Sequence, residues 1–389
     1  MIPSKAPSNS VFKAVAVTAL LLSLTQPLIA CPFCSAVSET FTEEIGSMDA
    51  VVIAKLVKSS PAADGEVNKV PRAKFKVTRV VKGEGLVTLD QEIETIYFGD
   101  AKPGQSFRIM GVDPPKVMWS TPLQLSERAT EYIPQLLALP GKGPERLFFF
   151  QQYLEDSDEM LARDAYDEFA KAPYSAVKEL QPRMDRTQLV SWIRNPDVPA
   201  SRRRLYLTML GVCGGSEDLP LLEEMLKSDD RKMKAGLDAM IGCYLTLRGS
   251  DGMPLIEEQF LKDTDAEYSD TYAAIMALRF HGSETDIIPK ERILAALRLM
   301  LERPQLADLV IPDLARWQDW SVMPRLVQLF KEADEKSSWV RVPVINYLRA
   351  CPEPAAQKYI SELEKVDPAA VKRANTFFPF GGTATPAKS

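Results

Sequence analysis

Apolar and polar positions keep two different periods along this chain, and the change comes near residue 126. Between about 49 and 120 the period is two. Lys74-Phe75-Lys76-Val77-Thr78 alternates polar and apolar, as a half-buried strand does. Residues 49–57 are a denser apolar run, rich in β-branched side chains. Gly83-Glu84-Gly85, Gly99-Asp100 and Pro103-Gly104 punctuate the segment. The pattern predicts short strands over 49–57, 74–78, 86–89, 92–98, 106–110 and 116–119. That many strands in about 70 residues predict a small closed barrel, because closure hides strand edges. Residues 39–45, just ahead, read as a short helix lying on it.

From 126 the period is helical. Ser126 is placed to cap a helix over 126–139, which Pro140-Gly141 ends. Helices over 144–154, 159–171, 187–194 and 201–212 follow, and the pattern persists to about 366. Polar breaks at Asp156, Asn195, Asp229, Asp263, Arg303 and near Ala333 recur at roughly 31 to 40 residues, the spacing of two-helix repeats. A single helix pair cannot bury its apolar face, so stacking is obligatory. The predicted class is multidomain, a β-barrel plus all-α: a barrel over 31–125 and an α-solenoid of helix pairs over 126–366. Residues 367–389 read as a tail. Its Phe377, Phe378 and Phe380 fold back on the last repeat or await a partner, and 383–389 are expected to be disordered.

A third pattern stands at the start. Lys5 and Lys13 precede an apolar run that ends at Leu28-Ile29-Ala30. This reads as a signal peptide over 1–30. Gln26 and Pro27 interrupt the run, which is too short for a membrane span. The mature chain is then exported, to the periplasm, cell envelope or exterior, and begins at Cys31.

Net charge of −6 argues against a general nucleic-acid binder. The single histidine, His281, argues against Ser-His-Asp and Cys-His triads and most catalytic zinc sites. It lies in Arg279-Phe280-His281-Gly282 at an apparent helix end, where a cation is favourable. No catalytic residue, metal ligand or cofactor is expected.

The chemistry-bearing candidates are few. Leu28-Ile29-Ala30-Cys31 fits a bacterial lipobox, which makes Cys31 a lipidation site. Cys31 and Cys34 also read as a structural disulfide, or as a redox pair at the spacing of thiol–disulfide oxidoreductases. Cys213 and Cys243 read as buried free thiols. Arg202-Arg203-Arg204 reads as a solvated face with one stem on the core. Asp164, Asp167 and Glu168 read as surface charge. Trp317 and Trp320, three apart on one helical face, read as core or groove lining and are the binding-surface candidates.

The helical half resembles HEAT-type repeats. The β half looks like the netrin-like, OB-type barrel of the tissue inhibitors of metalloproteinases, on four features: the exposed N-terminal cysteine, the strand DAVVIAKLV, the strand KFKVTRVVKG ending at Gly83, and PGQSFRIMG from Pro103. The whole is similar to exported bacterial proteins with helical repeats after such a domain. That resemblance implies metal chelation by the amine and carbonyl of Cys31, with the spacing to Cys34 changed and the partner cysteines missing. The expectation is a non-enzymatic exported scaffold with protein partners on its helical repeats, no nucleic acid, and the membrane met only through a lipid anchor. Its rivals are a thiol–disulfide protein using Cys31 and Cys34, and a metalloprotease-inhibitor-like binder.

Overall fold

The computed structural model describes residues 33–34, 38–60 and 70–376. The expected signal peptide over 1–30, Cys31 and the phenylalanines of the tail lie outside the described residues. A seven-residue helix, α1 (Phe41–Ser47), stands ahead of the sheet. Thr40 caps it by accepting from the Glu43 amide, while the Glu43 carboxylate accepts from the Thr40 amide.

A nearly closed antiparallel barrel follows. Its strands are β1 (Ala50–Ser60), β2 (Arg72–Lys82), β3 (Glu92–Ile96), β4 (Ser106–Val112), β5 (Met118–Trp119) and β6 (Leu123–Leu125). The order is β3-β2-β1-β4-β5, with β6 beside β4. Thr95 Oγ1 bridges the remaining gap, 3.1 Å from the Trp119 carbonyl and 3.2 Å from that of Ser120.

The dense apolar run of β1 has a simple cause: both faces are buried. Ala50, Val52, Ala54 and Leu56 point into the barrel, beside Phe75, Val77, Phe107 and Ile109. Phe75, Tyr97 and Phe107 pack edge to face there, with centroids 5.2–5.8 Å apart. Val51 and Ile53 point the other way and join a core continuous with the helices.

The expected strand at 86–89 is a turn instead. Gly83, at φ +89°, opens it, and its carbonyl accepts from the amides of Leu86 and Val87. A Cβ at Gly83 would stand 2.8 Å from the Asp49 carbonyl oxygen, so the turn needs glycine. Only Val87 of this stretch reaches the barrel core.

The rest is helical: α2 (Glu127–Leu136), α3 (Pro144–Gln151), α4 (Glu159–Lys171), α5 (Tyr174–Glu179), α6 (Arg186–Arg194), α7 (Ala200–Cys213), α8 (Leu219–Lys227) and α9 (Leu237–Arg248). Then come α10 (Met253–Ile256), prolonged by a π-helical stretch to Lys262, α11 (Tyr268–Glu284), α12 (Lys290–Arg298), α13 (Ile311–Arg316), α14 (Met323–Glu332), α15 (Arg341–Ala350), α16 (Pro354–Val366) and α17 (Pro368–Thr376). Neighbours in sequence pack as pairs: α6 on α7, α8 on α9, α14 on α15, α16 on α17. Alternate helices also stack, α7 on α9, α9 on α11, α13 on α15 and α15 on α17. Position in the stack decides the apolar pattern. In α14 the buried residues are Met323, Leu326, Val327, Leu329 and Phe330, one face of a helix. In α9, flanked on both sides, residues 239–245 are all buried.

The tail begins later than expected. Residues 368–376 form α17, which buries Ala370, Val371 and Ala374. Asp367 holds its start by accepting from the Ala370 amide (2.8 Å) and pairing with Arg341 (2.8 Å).

Buried carboxylates between helices are held by arginines. Arg298 of α12 grips Asp319 with two bonds of 2.7 and 2.8 Å, and the Asp319 side chain is 3% exposed. Arg298→Met leaves that carboxylate buried with the Ser321 hydroxyl as its main partner. It is expected to cost about 2–3 kcal/mol in urea denaturation. Lys74→Met, which breaks an exposed cross-strand pair with Glu92, is expected to cost under about 1 kcal/mol.

Candidate functional site

Two constellations bring chemistry-bearing side chains together. The first surrounds α1. Asp164 of α4 accepts from the Phe41 amide at 2.7 Å through one oxygen and from the Tyr132 hydroxyl at 2.6 Å through the other. Phe41 is the first residue of α1, so a carboxylate sits where that helix needs an acceptor. Burial raises the Asp164 carboxyl to about 6, and the two hydrogen bonds oppose the rise. Arg146 pairs with Glu168 (2.7 Å) and donates to Thr42 Oγ1 (3.0 Å). Lys171 pairs with Glu43. From the barrel, Arg108 pairs with Glu44 at 2.6 Å and lies 4.4 Å from the Phe41 ring centroid. Lys82 donates to the carbonyls of Ile45 (3.1 Å) and Gly46 (2.8 Å). So α1 does lie on the barrel, as expected, and is gripped equally from α4. Asp164, Asp167 and Glu168 correct the sequence reading. All three are buried: Asp164 by the Phe41 amide from more than a hundred residues away and by Tyr132, Glu168 by Arg146 of α3, and Asp167 beside Arg163.

The second constellation is a seat in the helical half. Phe33, between the two N-terminal cysteines, is buried against Phe280 of α11, centroids 4.9 Å apart. Tyr174 of α5 meets the edge of Phe280 at 5.1 Å. Gly242 of α9 forms the floor. A Cβ there would stand 2.8 Å from the tip of the Phe33 ring. His281 lies behind this floor, fully buried. Its Nε2 is 3.1 Å from the Gly242 carbonyl, so Nε2 carries the hydrogen and donates, and its Nδ1 is 3.1 Å from Thr285 Oγ1. Burial lowers the imidazole to about 4, against the Gly242 bond, which favours the charged form. The helix-end cation expected of His281 is therefore a neutral, interhelical donor.

The other candidates fall into place around these. Cys34 is half-buried beside Phe33 and packs on the helical core. Cys213, Cys243 and Cys351 are free thiols. Burial pushes Cys213 up to about 11 and Cys243 well above the ordinary thiol range, so both stay protonated and unreactive. Arg202-Arg203-Arg204 is not a solvated face. Arg202 pairs with Glu159, Arg203 donates to the carbonyls of Lys232 and Asn195, and Arg204 grips Asp238 at 2.7 Å. Trp317 and Trp320 do not share a helical face, because α13 ends at Arg316 and Gln318 takes φ +59° between them. Trp317 packs on Gly282 with Lys290 Nζ 4.7 Å from its ring, and Trp320 meets Tyr347 at 5.1 Å. Both remain half-exposed.

Among the described residues no group of three or more His, Cys, Asp or Glu side chains could hold a metal ion, and no helix is long and apolar enough to cross a membrane. The Asp164, Arg146 and His281 groups are each engaged by neighbouring backbone or side chains. The sequence offered one weak pointer to the seat: Phe33 is the only large apolar residue between the cysteines. Nothing local marks Gly242 or Asp164, whose partners come from distant segments.

Asp164→Ala leaves the Phe41 amide and Tyr132 hydroxyl buried without their acceptor. It is expected to lower stability by about 2–4 kcal/mol in urea, and Asp164→Asn by less. The two shifted groups also predict opposite pH effects. His281 is held neutral, so its contribution is complete above pH 6.5 and is lost as pH falls toward 4, by roughly 3 kcal/mol at most. Asp164 takes up its proton first in the folded state, so it favours folding as pH falls from about 6 toward 4. Urea midpoints at pH 7, 5.5 and 4.5 check this. Relative to wild type, His281→Gln should gain stability on acidification and Asp164→Asn should lose it.

Compared with known proteins, the chain matches no family model and no curated protein sequence.

Proposed function

We propose that this chain is a non-enzymatic exported binding protein. In this reading a netrin-like, OB-type barrel is joined to an α-solenoid of HEAT-like helix pairs whose extended face takes protein partners, and Cys31 anchors the chain at the envelope. The observation that carries the reading is an ion pair that recurs between successive parts of the helical half. Arg204 holds Asp238, Lys234 reaches Asp270, and Arg279 holds Asp313, at sequence separations of 34, 36 and 34. A bond that recurs at the repeat length fixes one pair on the next, and regular steps give a continuous surface suited to an extended partner. Trp317 and Trp320 follow the helix that carries Asp313 and are half-exposed, and a large amphipathic ring is a frequent anchor at interfaces.

The inhibitor-like alternative needs the Cys31 amine presented from the barrel. Phe33, two residues on, packs instead on α9 and α11, which favours the scaffold reading. Three measurements test the proposal. Intact mass of the mature protein, from a bacterial host with lipoprotein processing, should show diacylglyceryl and acyl groups on Cys31; a plain mass beginning at Cys31 removes the anchor. A photo-crosslinking residue at Trp317 or Trp320 should give a discrete, saturable adduct in the envelope that the same residue at Leu89 of the barrel does not. Equal yields at all three sites would defeat the proposed binding face. A disulfide-reductase activity lost in Cys34→Ser would replace the scaffold with the thiol–disulfide reading.

A further inference from the structure

Phe33, with Cys34 beside it, is a described part of the N-terminal segment that packs on the helical half. Its ring is trapped between Phe280 and the bare backbone of Gly242. Gly242 has a second bond on its other side: its carbonyl accepts from His281 Nε2 at 3.1 Å. Phe280, the neighbour of His281 in sequence, packs on both rings, 4.9 Å from Phe33 and 5.0 Å from His281. The seat and the imidazole therefore share two walls. The titratable and charged groups around them are Tyr174 on α5, Cys243 on α9, Lys290 on α12 and Glu284 on α11 itself. Burial pushes Tyr174 up to about 12 and Cys243 up as well, so both are neutral, and Lys290 is turned to the Gly282 carbonyl. The two influences on the His281 ring are burial and the Gly242 carbonyl; neither is a carboxylate.

We propose that Phe33 and His281 form a coupled latch: the phenyl ring seals the seat while the imidazole is uncharged, and protonation of the imidazole releases Phe33 and Cys34 from the helical half. A charged imidazole keeps both hydrogen bonds but lacks water, and the seat opens to supply it. The clasp at α1 does not open with it, because Asp164 gains its proton in favour of the folded form over the same range. Acid then frees the cysteine-bearing N-terminal end while the barrel stays docked.

The coupling is reciprocal, so emptying the seat must make His281 easier to protonate by the same factor that protonation unseats Phe33. His281 is the single histidine of the chain, so its ring signals need no assignment. An NMR titration of ring-labelled histidine in the full mature protein should give a low pKa in wild type. Phe33→Ala should raise it by one unit or more, a tenfold coupling. Gly242→Ala, whose new methyl collides with the Phe33 ring without removing it, should raise it likewise. Phe75→Ala, inside the barrel, should leave it unchanged. An unperturbed pKa in wild type, or the same low value in wild type and both seat variants, overturns the latch.

Discussion

The structure depends on one buried carboxylate. Asp164 takes the first amide of α1 on one oxygen and the Tyr132 hydroxyl on the other. A short helix ahead of the sheet is thereby fixed to a helix far along the chain. Once α1 is held there, Arg108 and Lys82 reach it from the barrel, and Arg146 and Lys171 reach it from the helices. The outer face of β1 then has somewhere to bury Val51 and Ile53. The charges add little net stability by themselves, since desolvation offsets much of their attraction. Their contribution is to specify one docking geometry, because any other would strand a buried charge.

The helical half solves a different problem: its helices pack in pairs and on alternate neighbours, and arginines fasten the seams. Arg204, Arg298 and Arg341 each close a junction on an aspartate, and Arg203 and Arg325 do so on the backbone carbonyls of Lys232 and Leu301. The central helix α9 is buried on every side over residues 239–245, and it also holds the Phe33 seat. The N-terminal segment thus reaches the most deeply packed part of the array while α1 spans the barrel and its edge.

Much of this plan is legible in the residues. The period-two segment gave most strands, because alternation reports burial of one face directly. The run at β1 announced double burial, though not what covers its second face. Helix positions such as Arg186–Arg194 and Ala200–Cys213 lie within a residue or so of their sequence expectation, because caps and breaks are local. Long-range partners were not legible. Asp164, Asp167 and Glu168 have the spacing of an exposed helix face, and α1 together with Tyr132 and Arg146 makes them internal. The arginine triplet likewise looks solvated until Asp238 and the Lys232 carbonyl arrive. The strand expected at 86–89 failed because one inward valine was enough for the core, and Gly83 turned the chain. Trp317 and Trp320 have helical spacing, yet α13 ends between Arg316 and the first of them.

A clasp of this kind requires α1 to be as firmly held as the barrel and the helices it joins. Native-state hydrogen exchange of the Phe41 amide measures this directly. If Asp164 is the central acceptor, that amide should open only with the global transition, at the same free energy as the Val52 amide in β1 and the Phe169 amide in α4. Exchange of Phe41 through a local opening several kcal/mol below those two would show that the barrel and the helices stand without the clasp.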